Sequence, residues 1–167
     1  MFRAALILIT GFFLGGCGAA APKLTVTDVR TDVVEPTGRL IYIEIDAQNR
    51  SDDALPLKDA TYTLKLDGQQ VFSGQRSPEC TLRVFGQQKI TLPVAVPSDK
   101  VPASGTVRYE VSGSMVYLPP GRFNEILYEY HLLRPTTSFS RSGQIALDGS
   151  TPPPPTPAPA PAPASAP

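Results

Sequence analysis

RLIYIEIDAQN, residues 39–49, and LKDATYTLKLDG, residues 57–68, show how this chain folds. In both stretches, apolar residues recur at every second position and polar residues fill the positions between them. Side chains two residues apart lie on the same face of a β-strand, so each stretch is predicted to be a strand with one buried face. The predicted inward faces are Ile41, Ile43, Ile45 and Ala47 in the first stretch, and Ala60, Tyr62, Leu64 and Leu66 in the second.

The same alternation recurs further along the chain. QKITLPVAV, residues 88–96, places Ile90, Leu92, Val94 and Val96 on one face and Pro93 on the other. Because proline cannot donate a ladder hydrogen bond, this strand is predicted to lie at a sheet edge. In TVRYEVSGSMVY, residues 106–117, the apolar positions are followed by Gly113, where a bulge or a bend is expected.

Three further stretches complete the strand pattern: LTVTDVRTDVV, ILYEYHLL and SGQIAL. Asp67-Gly68 separates two strand-like runs and predicts a tight hairpin turn. The segment from Gly121 to Leu127 is the only place where a helical turn is expected. About seven to eight short strands with turns between them indicate an all-β, antiparallel β-sandwich.

The N-terminus has the composition of a targeting segment. Arg3 precedes an apolar run from Ala4 to Leu14, which is too short to span a bilayer as a helix. Leu14-Gly15-Gly16-Cys17 resembles a bacterial lipobox. That resemblance implies a lipoprotein signal peptide over residues 1–16 and an acylated Cys17 at the mature N-terminus. Gly18, where an aspartate would favour retention in the inner membrane, favours the outer membrane facing the periplasm.

Both ends of the chain are predicted to lie outside the folded domain. Residues 17–23 form a lipidated tether, and its six residues after the cysteine span about 20 Å when extended. Residues 149–167 are rich in proline and alanine and bury too little apolar surface to fold, so they are predicted to be a disordered, extended tail. The sandwich domain is assigned to residues 24–148.

The acidic stretch DAQNRSDDALPLKD, residues 46–59, is the strongest candidate for a metal site. A calcium loop starting at Asp46 would place Arg50 at a ligand position. A loop starting at Asn49 would place Ala54 where glycine is needed. Neither register fits, so Asn49 is interpreted as an Asx-turn or left-handed residue at a strand end, and Asp52 and Asp53 as solvated turn residues. No metal and no cofactor is predicted.

Catalytic residues are not predicted either. His131, the only histidine, is interpreted as a strand residue in YEYHLL, and Tyr128 and Tyr130 beside it as core or sheet-face residues. Cys80 is interpreted as a small, partly buried residue. A nucleophile and base pair made of Cys80 and His131 would lack a third orienting residue, so the chain is predicted not to be an enzyme.

The order of the motifs resembles a known family. A strand ending in Asn49 is followed by a polar turn, by LPLKDATYTLKLDGQQVFSG and by ITLPVAV; YEVSGSMVY and SGQIAL come later. This order is similar to the late embryogenesis abundant type 2 family, also called the water stress and hypersensitive response domain, over residues 24–147. The resemblance implies an immunoglobulin-like or fibronectin-like sandwich and a role in stress or envelope protection.

Two functional readings follow from the sequence. The first is a non-enzymatic lipoprotein in stress protection, held to membrane lipid through acylated Cys17. The alternative is an envelope assembly or adaptor lipoprotein that binds a protein partner through a sheet edge. A formal net charge of zero gives no basic surface for nucleic acid.

Overall fold

The computed structural model describes residues 20–101 and 105–147, apart from the side chains at positions 33 and 34. The signal peptide, Cys17 and the proline-rich tail lie outside the described residues. The described part of the chain contains eight strands, one α-helix and a short 3₁₀ helix at Ser98–Lys100. The elements are β1 (Lys23–Glu35), β2 (Gly38–Gln48), β3 (Leu55–Leu66), β4 (Gln69–Arg76), β5 (Cys80–Leu82), β6 (Gln87–Pro97), β7 (Thr106–Tyr117), α1 (Arg122–Glu129) and β8 (Thr136–Ala146).

The strands form two sheets in which every pairing is antiparallel. The smaller sheet has the order β1-β2-β6. The larger sheet has the order β4-β3-β7-β8, and β5 pairs with the beginning of β3. The two sheets pack face to face around one hydrophobic core, which confirms the predicted antiparallel sandwich.

The core includes all the residues that the alternation placed on the inward faces, together with others from the same strands and from β1, β4, β5 and β8. Ile43 and Leu92 from the small sheet and Leu64 and Val111 from the large sheet are completely buried. The residues between them on each strand face outward and are more exposed, as in the alternating burial of β2. Hydrophobic periodicity therefore identified the correct face of β2, β3 and β6, the strands for which it named inward residues.

Two local predictions are confirmed by the backbone. Asp67 and Gly68 have φ values of 47° and 83°, so both lie in the left-handed region that a two-residue hairpin turn between β3 and β4 requires. Pro93 lies in β6, which pairs with β2 and, within the described residues, with no other strand. The proline thus lies on an edge strand, as expected.

Gly113 corrects one prediction, because it makes neither a bulge nor a bend. It stays in register between Tyr62 on β3 and Phe139 on β8. A Cβ atom at this position would lie 2.5 Å from the Phe139 ring and 2.7 Å from the Thr61 carbonyl oxygen. The glycine is therefore explained by the close approach of an aromatic ring over the sheet and not by a break in the strand.

The segment ILYEYHLL also differs from its prediction, because it is not a strand. Helix α1 covers its first half and ends in a Schellman motif, with His131 at a φ of 61°. The His131 N–H donates to the Tyr128 carbonyl and the Leu132 N–H to the Leu127 carbonyl. Alternation over so few residues does not distinguish a strand from a short helix, and here the chain forms a helix whose half-buried residues are Asn124, Leu127 and Tyr128.

Within residues 20–101 and 105–147, no helix is long and apolar enough to cross a membrane.

The core predicts the response to truncation. Ile43→Ala and Leu64→Ala should each lower the free energy of unfolding by about 2–5 kcal/mol, because each leaves a cavity between the sheets. Urea denaturation measures the loss. Thr61→Ala, on the exposed face of β3, is the matched control and should change stability by about 0.5 kcal/mol or less. Equal effects at all three positions would contradict the assigned faces.

Candidate functional site

Asn49 is the centre of the polar stretch between β2 and β3, and only 1% of it is exposed. Its Oδ1 accepts hydrogen bonds from the Ser51 N–H at 2.9 Å and from the Ser51 hydroxyl at 2.7 Å. Its Nδ2 donates to the carbonyl oxygens of Asp53 at 2.7 Å and of Arg83 at 3.0 Å. The side-chain amide is therefore fully used inside the protein, and its role is structural.

This geometry decides between the two conformations considered for Asn49. The Ser51 N–H bound to Oδ1 is an Asx turn, which confirms that prediction. The left-handed alternative is wrong, because among the described non-glycine residues positive φ occurs at Asp67, Glu79, Phe85 and His131.

Asn49 joins two connections that cross between the sheets. It lies in the β2–β3 connection, whereas Arg83 and Gly86 lie in the β5–β6 connection that returns to the small sheet. Besides the bond to Arg83, the Asn49 N–H donates to the Gly86 carbonyl at 2.8 Å, and the Phe85 N–H donates to the Ser51 carbonyl at 3.1 Å. These bonds hold both crossovers together at one end of the sandwich.

The acidic residues of the same stretch are dispersed. Asp46 lies on the outer face of β2, where its carboxylate accepts a hydrogen bond from Gln87. Asp52 and Asp53 are exposed in the turn, as predicted, and Asp59 lies half-buried on β3. Within the described part of the chain, no group of three or more acidic, histidine or cysteine side chains could hold a metal ion.

Cys80 and His131 are not brought together as a catalytic pair. Cys80 lies half-buried in β5, where burial raises the pKa of its thiol and so disfavours the reactive thiolate. His131 lies in the exposed turn after α1, with its Nδ1 3.0 Å from an Arg134 guanidinium nitrogen. The partly buried Cys80 is confirmed, whereas the strand position predicted for His131 is wrong.

The tyrosines predicted as core or sheet-face residues in ILYEYHLL are also placed differently. Tyr128 is half-buried on α1, with the Arg134 guanidinium 5.1 Å from its ring centroid and Lys58 on the same ring at 5.8 Å. Tyr130 is exposed in the turn that follows. Because both residues belong to the helical segment, neither joins the inner face of a sheet.

Tyr62 links the two sheets from within the core. It is buried on β3, and its hydroxyl donates to the Pro93 carbonyl on β6 at 2.7 Å. Burial raises the pKa of this phenol, which keeps it protonated as a donor. Its polar tip thus fixes where one sheet sits on the other.

A second set of hydrogen bonds joins β1 of the small sheet to β8 of the large sheet. Arg141 donates to the carbonyls of Val26, at 2.7 Å, and of Thr27, and Thr31 donates to the Ala146 carbonyl at 3.0 Å. Sequence patterning gave no signal for these contacts, since their partners are backbone carbonyls more than a hundred residues away.

The outer face of the small sheet carries an ion-pair network that is exposed to solvent. Lys89 on β6 lies 2.9 Å from the Glu44 carboxylate on β2, and Arg30 on β1 lies 3.4 Å from it. The hydrogen bond from Lys89 is the main cause that lowers the pKa of Glu44. Exposed pairs of this kind contribute little to stability, so this solvated network is not what holds the small sheet together.

The antiparallel β-sandwich defines the structural class of this protein, and known proteins with the same pattern place it further. The family model for late embryogenesis abundant protein, LEA_2, matches residues 44–123, from β2 to α1. Over these residues, the match supports the resemblance to the late embryogenesis abundant type 2 family. That family is in general non-enzymatic, and its members point to a stress-related function. No curated protein matches the sequence.

Solved structures share the fold. The solution structure of a late embryogenesis abundant protein has a TM-score of 0.59 at 20% identity, covering 76% of this chain and 71% of its own. A solution structure from Arabidopsis thaliana has a TM-score of 0.57 at 17% identity, covering 78% of this chain and 80% of its own. A crystal structure from Archaeoglobus fulgidus has a TM-score of 0.50 at 10% identity, covering 77% and 96%.

The Asn49 amide provides a direct test of the crossover contacts. Asn49→Asp keeps the size and the acceptors but replaces the donor, so the Asp53 and Arg83 carbonyls would face a carboxylate oxygen. We expect a loss of about 2–4 kcal/mol in the free energy of unfolding, because two partly buried acceptors lose their donor.

Chemical denaturation at neutral pH measures this loss. Asp52→Asn, the reverse exchange in the same turn at an exposed position, is the control and should be nearly neutral. A loss for Asn49→Asp no larger than that of the control would contradict the structural role of the amide.

Proposed function

We propose that this protein is a non-enzymatic lipoprotein of the bacterial cell envelope whose late embryogenesis abundant type 2 domain protects the envelope under stress. The main support for this proposal is that a lipobox-like LGGC sequence, residues 14–17, comes a few residues before the first strand of this domain. The localisation that fits best is the outer membrane, with the domain facing the periplasm.

The positions of the two chain ends support this arrangement. β1 starts at the end of the sandwich where Asn49 lies, since Lys23 pairs with Gln48. β8 starts at this same end, beside β1, and runs in the same direction, so it ends beside Thr106 at the opposite end. At ~3.3 Å per residue, the eleven residues of β8 separate the two ends by about 35 Å. A lipid at Cys17 would thus hold one end at the membrane, and the tail after residue 147 would leave from the other.

The surface of the described residues supports a role without catalysis. The groove that includes Cys80 has a volume of about 450 Å³ and is lined by residues of β6 and of the segment from Arg76 to Cys80. His131 is not among the lining residues. Glu79 and Lys89 line this groove together with Cys80, but among the described residues no hydrogen bond joins either side chain to the thiol, and burial raises the thiol pKa and so disfavours the reactive thiolate.

Removal of the acylated sulfur tests the anchor. Cys17→Ser should prevent lipidation and move the protein from the membrane fraction to the soluble fraction, because the acyl chains provide the main membrane affinity. Cys80→Ser is the matched control, since it removes the other cysteine and should leave fractionation unchanged.

The same variants test the physiological role. In a deletion strain, the wild type and Cys80→Ser should restore survival after drying and rehydration, whereas Cys17→Ser should not. Processed Cys17→Ser protein that still sediments with membranes at high salt would exclude the lipid anchor. Full survival of the deletion strain would exclude the protective role.

The alternative function, an adaptor that binds a protein through a sheet edge, is favoured by the geometry of β6. Pro93 has no N–H, and its carbonyl is bound by Tyr62 instead of β2. Along a strand, the backbone N–H and carbonyl groups of every second residue point to the same side. Those of Thr91 and Lys89, two and four residues before Pro93, therefore also point away from β2. A partner strand could therefore pair with this edge.

Thr91→Pro tests the alternative, because it removes one outward N–H and leaves the ladder to β2 intact. If an envelope partner pairs with this edge, crosslinking should recover it with the wild type and with Thr91→Ala but not with Thr91→Pro. Circular dichroism checks that the proline variant is folded. Equal recovery with both variants would exclude pairing at this edge.

A further inference from the structure

The described residues include seven exposed large hydrophobic side chains, and all of them lie at one end of the sandwich. Two follow β5, and five belong to α1 or to the turn after it. They are Val84 and Phe85 in the first group, and Phe123, Ile126, Tyr130, Leu132 and Leu133 in the second. We call these two groups the apolar end. Single exposed apolar residues are normally scattered over a surface, so this segregation requires an explanation.

Backbone contacts establish that the two groups share one end. Gly86, next to Phe85, is bound to Asn49 at the end of β2. β5 pairs with the first residues of β3, and Leu57 there pairs with Tyr117, the last residue of β7. The segment from Leu118 to Pro135, which contains α1, starts and ends at this same point because the Tyr117 N–H donates to the Pro135 carbonyl.

The exposure of these apolar side chains does not result from a helix that fails to pack on the sandwich. On α1, the half-buried residues are Asn124, Leu127 and Tyr128, so the helix already has a side against the sandwich. Phe123 is nevertheless 70% exposed, and Leu132 in the following turn is 74% exposed. These side chains remain available after the fold is complete.

Phe85 is exposed although its backbone has an unfavourable conformation. It is 67% exposed, and its φ of 49° lies in a region that bulky residues rarely adopt. The N–H groups of Phe85 and Gly86 hold the loop through the carbonyls of Ser51 and Arg83. A strained backbone that presents an apolar ring to solvent is typical of a contact surface.

The N-terminal segment leads to the same end. The Pro22 carbonyl accepts a hydrogen bond from the Thr137 hydroxyl at 3.0 Å, which fixes the chain beside the start of β8. Cys17 lies five residues earlier, so even a fully extended chain places it within about 17 Å of Pro22. An acyl group on Cys17 would hold the apolar end beside the bilayer at high effective concentration.

Charge at the apolar end neither repels nor selects a lipid headgroup. Arg50 and Arg83 are accompanied by Asp52 and Asp53 near the first group. Arg122 and Arg134 are accompanied by Glu125 and Glu129 near the second. These eight charges cancel, and Lys58, which lies 5.8 Å from the Tyr128 ring on α1, adds one positive charge. Contact with a bilayer would therefore depend mainly on apolar burial.

We propose that the apolar end is a second membrane contact, in which the phenylalanine and leucine side chains insert into the lipid interface and orient the sandwich upright on its lipid anchor. This inference rests on the proposed acylation of Cys17. It adds to that anchor a fixed orientation, with the opposite end of the sandwich and the tail directed away from the membrane.

Fluorescence can test the contact directly, because the chain contains no tryptophan. Phe85→Trp, Phe123→Trp and, at the opposite end, the exposed Gln69→Trp each introduce a single probe into the full mature lipoprotein. The variants are reconstituted into vesicles of phosphatidylethanolamine and phosphatidylglycerol, with and without phospholipids brominated in the upper acyl chain. Mass spectrometry confirms the acyl group, and flotation confirms vesicle binding.

We expect a blue shift and loss of most of the emission for Phe85→Trp and Phe123→Trp in brominated vesicles, and neither change for Gln69→Trp. Adding Phe85→Ser and Leu132→Ser to Phe123→Trp should reduce the quenching while the acylated protein still floats. Both added positions are exposed, so circular dichroism should show an intact fold.

The remaining outcomes distinguish failure of the membrane contact from failure of the lipid anchor. Acylated protein that floats while no probe is quenched would overturn the membrane contact and leave the lipid anchor intact. A blue shift without quenching would show that a second copy or another protein covers the apolar end, and it would also overturn the inference. Protein that is neither acylated nor floating would overturn the proposed anchor and this inference with it.

Discussion

The fold depends on one buried side-chain amide. A sandwich of this type must pass its chain between sheets, and the backbone at each crossing leaves the hydrogen-bonded ladders. Asn49 satisfies the polar groups of two such crossings at once, because its amide binds the Asp53 and Arg83 carbonyls while its own N–H reaches Gly86. Buried backbone groups without partners are costly, so this contact secures both the register of β2 and the return of β6.

Other hydrogen bonds between the sheets fix the position of one sheet relative to the other. Tyr62 reaches across the core to the edge strand β6, and Arg141 joins the other pair of edges, β1 and β8. The hydrophobic core is non-directional and would tolerate small displacements of one sheet on the other. These directional contacts remove that freedom and thereby fix which loops meet at each end, including the end where the exposed apolar residues gather.

Local patterns predicted the sandwich well and the region after β7 poorly. Strands with one apolar face, the hairpin at Asp67-Gly68 and the edge position of Pro93 were all readable, since each is determined by residues close in sequence. The strand predicted around His131 was wrong, because five alternating residues fit a helix and its cap equally well. Gly113 was misread for a different reason: the Phe139 ring that requires it comes from another strand.

The sequence by itself determined the strand faces and the lipobox-like segment, because periodicity and short motifs encode them locally. At Asn49 it left two conformations open, and the structure decided for the Asx turn. Only the tertiary structure decided that Asn49 contacts Arg83, that Cys80 and His131 are not a catalytic pair, and that Phe85 and Phe123 are exposed at one end. Hydropathy alone does not tell which phenylalanine side chains remain exposed. Whether a given ring finds a partner depends on sheet order and on where the crossings meet, and these are properties of the assembled sandwich.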